Sequence, residues 1–241
     1  MLRRFRGQFL AALVLTFVAL ATGVSHAQMV HRYSFNGSDA SDSIGGANGT
    51  LVGNATVSGG QLHLDQSDDL TPSYVTLPIG NTIAGLHSCT IEAWTTWTPD
   101  PLGNPYWHRI FDFGQNMTFN MFLTPFGGNR RLRCAITVNG GGDEEQTISG
   151  LHFPMGIETH VAVTIDADMG MTVLYMNGVA AAISFGDMLT PSDLGNTVNN
   201  YLGKSQYADP YFFGSIDEFR IYNTALSPDD IHASYLAGPD A

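Results

Sequence analysis

The sequence predicts an all-β protein, a two-sheet antiparallel β-sandwich with one short C-terminal helix. Three observations predict it. Apolar and polar residues alternate with period two in about ten or more short runs. Gly, Asn, Asp and Pro punctuate those runs, and the chain of 241 residues carries 27 Gly and 11 Pro. Charged residues make up only 13% against 44% hydrophobic and 11% aromatic, which suits sheets and turns and not a disordered chain.

The elements follow in order. Residues 1–27 read as a secretory signal peptide: Arg3, Arg4 and Arg6 precede an apolar run from Phe9 to Leu20, and Ser25-His26-Ala27 sets small residues around a cut. The run is short for a membrane span and no basic stop follows it. Residues 28–241 are then expected as a single domain. Alternating strands are read at His31-Tyr33-Phe35, Leu62-Leu64, Val75-Leu77, Ile91-Ala93, Ile110 to Phe113, Phe119 to Leu123, Leu132 to Val138, Val161 to Ile165, Val173-Tyr175 and Phe219-Ile221. Asn177-Gly178 is a strong hairpin signal. Ser227 as cap, Pro228 in the first turn, Asp229 and Asp230 at the positive end, and Gly238 as stop define the helix.

The net charge is −12, and three of the ten basic residues sit in the leader. A domain this acidic repels nucleic acid and anionic membranes. Cys89 and Cys134 both share parity with apolar neighbours and are expected in the core. In an oxidising compartment they either form a disulfide or stand as two buried thiols. Sequons start at Asn36, Asn48, Asn54 and Asn116.

Several segments together resemble the laminin-G-like jelly-roll modules of the concanavalin A-like lectin/glucanase superfamily. They include His-Arg-Tyr-Ser-Phe at 31–35, Asp-Ser-Ile-Gly-Gly at 42–46, Gly-Thr-Leu-Val-Gly at 49–53 and Tyr-Val-Thr-Leu-Pro at 74–78. Thr-Ile-Glu-Ala-Trp at 90–94, His-Val-Ala-Val-Thr at 160–164, Leu-Tyr-Met-Asn-Gly at 174–178 and Gly-Ser-Ile-Asp-Glu-Phe-Arg-Ile-Tyr-Asn at 214–223 follow in the same order. The resemblance implies a jelly roll that binds carbohydrate or serves as a structural, protein-interaction module outside the cytoplasm, secreted and monomeric. It also implies a structural calcium ion joining the ends of the domain. Asp39, Asp42 and Asp217 are its candidate ligands, with Asp217 expected to point inward on the parity of Phe219 and Ile221. The alternative is that Asp42 starts a turn and Asp217 caps amides.

Sugar rings stack on aromatic faces, and loops on a rigid sandwich are where binding usually sits. Trp97, Tyr106 and Trp107 flank the Pro-rich loop 98–105, and Tyr207 and Tyr211 flank Asp209-Pro210. These are the candidate carbohydrate-binding residues, and their alternative is to cover sheet edges. Trp94 reads as core, and Asp143-Glu144-Glu145 as a solvated hairpin tip. Arg109 and Asp112, three apart, are expected on opposite faces of a strand. No Glu-x-Asp-x-Glu strand like that of the superfamily's glucanases occurs, nor any Gly-x-Ser-x-Gly or His-Glu-x-x-His. The chain is therefore expected to be non-catalytic.

Overall fold

The structure, a computed structural model, describes residues 28–65, 71–98 and 103–241. The signal peptide expected over residues 1–27, and part of the loop 98–105, lie outside the described residues.

In chain order the first strands are β1 (Met29–Tyr33), β2 (Thr50–Gly53), β3 (Thr56–Ser58), β4 (Gln61–Leu64) and β5 (Ser73–Thr76), followed by the short helix α1 (Gly80–Ile83). Then come β6 (Cys89–Trp97), β7 (Phe111–Gly114), β8 (Asn120–Thr124), β9 (Arg133–Thr137) and β10 (Glu145–Ile148). The last are β11 (Thr159–Asp166), β12 (Met171–Met176), β13 (Val179–Phe185), β14 (Asn199–Leu202), β15 (Gly214–Tyr222) and the helix α2 (Pro228–Ala237). They form two antiparallel sheets, as the alternation predicts. The eight-stranded sheet runs β13-β12-β11-β6-β15-β4-β3, with β1 also on β15, and the seven-stranded sheet runs β10-β9-β8-β7-β14-β5-β2.

Between the sheets lie Phe111 and Phe113 of β7 and Phe219 and Ile221 of β15. Phe111 stacks on Phe113 at 4.8 Å between ring centroids, and both meet Phe219 of the opposite sheet at 6.0 and 6.2 Å. Each such ring contributes about 1.5–3 kcal/mol by leaving water. Cys89 on β6 and Cys134 on β9 lie in this core, one from each sheet, as two free thiols and not a bridge. Burial pushes the Cys89 thiol up to about 12, so it stays protonated and behaves as a small apolar group.

The Asn177-Gly178 hairpin forms as expected: both residues have positive φ (50° and 73°), and they join β12 to β13 by the two-residue turn that matches strand twist. The helix α2 begins as read, with the Ser227 hydroxyl accepting from the Asp230 amide and Asp230 closing the capping box. Ile231 packs α2 onto Ala162, Val173 and Tyr175 on the outer face of the eight-stranded sheet. Trp94 is buried as expected, but on this outer face, under the Arg220 guanidinium at 4.8 Å. Beside it the Glu92 carboxylate accepts from Tyr222 (2.9 Å), Ser234 (3.0 Å) and Arg220 (3.2 Å), so its charge is matched where water is excluded.

Asp217 departs from its expected place. A bulge between Ile216 and Glu218 against β6 shifts the phase of β15. Asp217 is therefore half-buried at the bulge, with Oδ2 accepting from Gln61 at 3.1 Å, while Ile216, Phe219 and Ile221 point into the core.

One connection shapes the outer face of the seven-stranded sheet. Residues 203–213, between β14 and β15, fold back as a strap whose base closes where the Phe212 amide donates to the Gly203 carbonyl at 2.8 Å. Gly203 has φ +86°, and a Cβ there would lie 2.6 Å from Leu64 Cδ1. Gly203→Ala is expected to cost about 1–2 kcal/mol for the left-handed backbone alone, read as a lower midpoint in urea unfolding.

Candidate functional site

The core takes Phe111 and Phe113 of β7, Met121 and Leu123 of β8, and Cys134 and Ile136 of β9, so the residues between them face out. Asp112 stands opposite Phe122, Phe122 opposite Ala135, and Tyr201 opposite Asp112 on the other side. This row crosses the outer face of the seven-stranded sheet, and the strap lies over its middle. The Gln206 amide donates to Asp112 Oδ2 at 3.0 Å, and Ser205 to Asp209 Oδ2 at 2.8 Å.

On one side of the strap is a cavity of about 330 Å³ lined by Trp107, Arg109, Phe122, Arg133, Gly141, Glu144, Tyr207 and Asp209. Its floor is a stack of cations on rings. Arg109 lies over Phe122 at 4.0 Å, and Arg133 over Trp107 at 5.2 Å. Arg109 is buried: Nη1 donates to the Trp107 carbonyl at 2.6 Å and Nη2 to Asp209 at 2.9 Å, while Nε, without a hydrogen-bond partner among the described residues, lies 3.4 Å from Asp112 as an ion-pair contact. Arg133 pairs with Glu144 from the β9–β10 hairpin. Trp107 has φ +66°, a strained backbone for a large side chain. Both its backbone groups are held, the amide donating to Phe126 at 2.9 Å and the carbonyl accepting from Arg109. Its ring is left half-buried at the cavity.

Asp112 lies fully buried beneath this cavity, and its Oδ1 has no hydrogen-bond partner among the described residues. Burial, opposed by Arg109 and the Gln206 amide, pushes its pKa up to about 7. On the other side of the strap, Lys204 sits over Tyr74 and Tyr201 at 4.5 and 4.6 Å, and Tyr211 stacks on Tyr74 at 5.9 Å with planes 5° apart.

Of the aromatic candidates, Trp107 and Tyr207 meet at the cavity. Tyr211 belongs to the second cluster. Tyr106 lies beside the cavity, edge-on to Phe126 at 5.2 Å with its hydroxyl accepting from Arg130. Trp97 is a correction: it is fully buried between Phe126 and Phe153, with Nε1 donating to His108 at 3.2 Å. The alternation that turns Cys89, Ile91 and Ala93 inward continues to Trp97, so it supports the core and offers no face to a ligand.

Arg109 and Asp112 are a second correction. The strand begins at Phe111, so strict alternation does not reach Arg109, and the two side chains meet. Glu144 is a third, since Arg133 draws it out of solvent. Sequence reading passed over Phe122, Arg133 and Glu144. The signal available was parity: Arg133 and Phe122 are out of phase with the core residues Cys134 and Met121.

The three aspartates proposed for calcium are not brought together, and the Asp42 donor set does not fit a cation. Asp42 Oδ1 accepts from the amides of Arg32, Ile44 and Gly45 at 3.0–3.1 Å, and Oδ2 from the Ala47 amide at 2.9 Å and His31 at 2.7 Å. Oxygens surrounded by N–H groups have no lone pairs for a metal. Asp39 is exposed and serves the Ser41 amide, and Asp217 serves Gln61. Among the described residues no three His, Cys, Asp or Glu side chains converge as a metal site. Asp42 is thus a turn former, the alternative read for it.

A jelly-roll sandwich with a charged, aromatic-lined cavity on one sheet is the class of protein this geometry defines. The laminin G model of the concanavalin A-like lectin/glucanases superfamily matches residues 69–232, and the chain belongs to that superfamily. Among solved structures it is similar to domain 4 of AbnA, a GH43 extracellular arabinanase from Geobacillus stearothermophilus, in complex with arabinotriose. The identity is 25%, covering 86% of this chain and 98% of that one, with a TM-score of 0.66. The CBM40 of the Ruminococcus gnavus IT-sialidase, bound to α2,3 sialyllactose, is similar at 20% identity, 77% and 95% coverage and TM-score 0.55. The receptor binding domain of botulinum neurotoxin C/D mosaic serotype matches at 18% identity and TM-score 0.66, over 87% of this chain and 51% of that one. No curated protein sequence matches this one. Among the described residues no helix is long and apolar enough to cross a membrane.

Proposed function

We propose that the protein is an exported, non-catalytic carbohydrate-binding module whose ligand sits in the cavity on the outer face of the seven-stranded sheet. The observation that carries this reading is the half-buried Trp107 ring, held in a strained backbone beside Tyr207 and a set of paired guanidinium and carboxylate groups. Ring faces take the C–H side of a sugar and the charged groups its hydroxyls. The similarity to the arabinanase domain solved with arabinotriose supports it. A binding role also fits the carboxylates better than hydrolysis does. Glu144 and Asp209 are each held by an arginine, and Asp112 is fully buried, so no pair stands ready as nucleophile and proton donor.

A glycan array probed with the purified protein tests the reading. Trp107→Ala is expected to lower the affinity for any retained glycan at least roughly ten-fold, in line with the loss of one aromatic anchor, with the melting curve little changed. Product release from any polysaccharide would refute the non-catalytic reading. A second reading, a protein-interaction module, draws on exposed apolar residues at the edge strand β13 and beyond it, Ile183, Phe185 and Met188.

A further inference from the structure

Resting on the reading of this cavity as a glycan site, we infer that its ligand is a neutral, hydroxyl-rich glycan and not a uronate, sialate or sulfated one. The charge balance of the cavity carries this. Two guanidinium groups, Arg109 and Arg133, face three carboxylates, Asp112, Asp209 and Glu144. Arg109 donates from Nη1 and Nη2 to the Trp107 carbonyl and Asp209, its Nε lies within ion-pair distance of Asp112, and its face rests on Phe122. Arg133 is matched by Glu144. The cavity therefore offers no surplus positive charge.

An anionic sugar would have to approach Glu144 and Asp209 in a partly desolvated space, against the field of a chain with net charge −12. Like charges brought together there repel strongly. A neutral sugar meets no such barrier. Each hydroxyl both donates and accepts, so two adjacent hydroxyls can bridge a guanidinium N–H and its carboxylate partner without breaking the ion pair. Trp107 and Tyr207 supply ring surface for the sugar's C–H face. The volume of about 330 Å³ is at the small end for ligand sites, so this cavity reads a short stretch of the chain it binds.

Native gel electrophoresis through neutral polymers (arabinan, galactan, β-glucan) and anionic ones (polygalacturonate, alginate, chondroitin sulfate), at low and high salt, tests the inference. At least one neutral polymer is expected to retard the protein, with less than about a two-fold change over a salt range that screens exposed charge, and the anionic polymers are not. Glu144→Gln leaves Arg133 without its anion. It is expected to lose neutral binding about ten-fold and to gain retardation by polygalacturonate. Arg133→Gln is expected to lose neutral binding with no such gain. Retardation of the wild type by an anionic polymer overturns the inference and leaves the glycan reading standing. Retardation by none of the polymers overturns both. Glu144→Gln showing the wild-type pattern overturns the role given to the ion pair, and the inference with it.

Discussion

Asp42→Ala is expected to destabilise the protein by about 3–5 kcal/mol and to lower its melting temperature by roughly 10 °C. The carboxylate side chain is inaccessible to solvent, and it accepts four backbone amides and the His31 ring nitrogen. Removing it leaves four amides of a part-buried turn, and a buried His31 ring nitrogen, without their acceptor. It also removes the side-chain ties of the loop 42–47 to β1, leaving the Ser43 amide's bond to the Arg32 carbonyl, and leaves His31 with Thr82 as its remaining partner, at 2.7 Å from the ring's other nitrogen. The same contacts fix a pH dependence. Burial raises the Asp42 pKa, but the His31 bond and the amides outweigh it and hold the carboxyl at about 2, against an ordinary 3.8. The stability from this group is therefore fully present above about pH 4 and is lost as pH falls through about 2. Thermal melts from pH 7 to pH 2 should show the wild-type advantage over the alanine variant shrinking over the last two pH units. An advantage below 1 kcal/mol at neutral pH would contradict this account. Because N–H donors fill the oxygens, a chelator is expected to leave the wild-type melt unchanged.

The parts of the fold readable from sequence are those set by local rules. Alternation at Phe111-Phe113 and Phe219-Ile221 picks out the inner faces, Asn177-Gly178 sets a turn by its own backbone preferences, and Ser227 to Gly238 delimits a helix through its caps. The site is legible only in part, because distant segments build it. Tyr207 and Trp107 are visible as loop aromatics, but their meeting depends on the strap folding back from Gly203. Asp209 reaches Arg109 across 100 residues, and no local pattern announces that contact. Asp217 shows the opposite failure: parity is a sound rule until a bulge shifts the phase, and the bulge is set by the partner strand. The strained backbone of Trp107 leaves no mark in the sequence, since Trp is not a residue chosen for positive φ.

Arg109 joins the fold to the site, and Arg109→Met is expected to cost about 3–5 kcal/mol and to abolish glycan retention together. The guanidinium is the charged partner facing Asp112, it ties the strap through Asp209, and it holds the strained Trp107 by its carbonyl. Without it the strap and the Trp107 ring lose their positions, and Asp112 is left with Gln206 beside a buried carboxyl. Asp112 titrates in the opposite sense to Asp42. Its pKa is raised from 3.8 to about 7, so its contribution is greatest below about pH 4 and is lost as pH rises through 7. Asp112→Asn is expected to be more stable relative to wild type at pH 8 than at pH 5. The double variant Arg109→Met/Asp112→Asn is expected to recover part of the single variant's loss at pH 8, where it relieves the cost of an unmatched buried carboxylate, and less at pH 5, where Asp112 is protonated. It should not recover glycan retention, because the strap and Trp107 remain untied. Urea unfolding of the four proteins at pH 5 and 8, with retention measured alongside, separates the two roles. Strictly additive effects would show that Arg109 and Asp112 act independently.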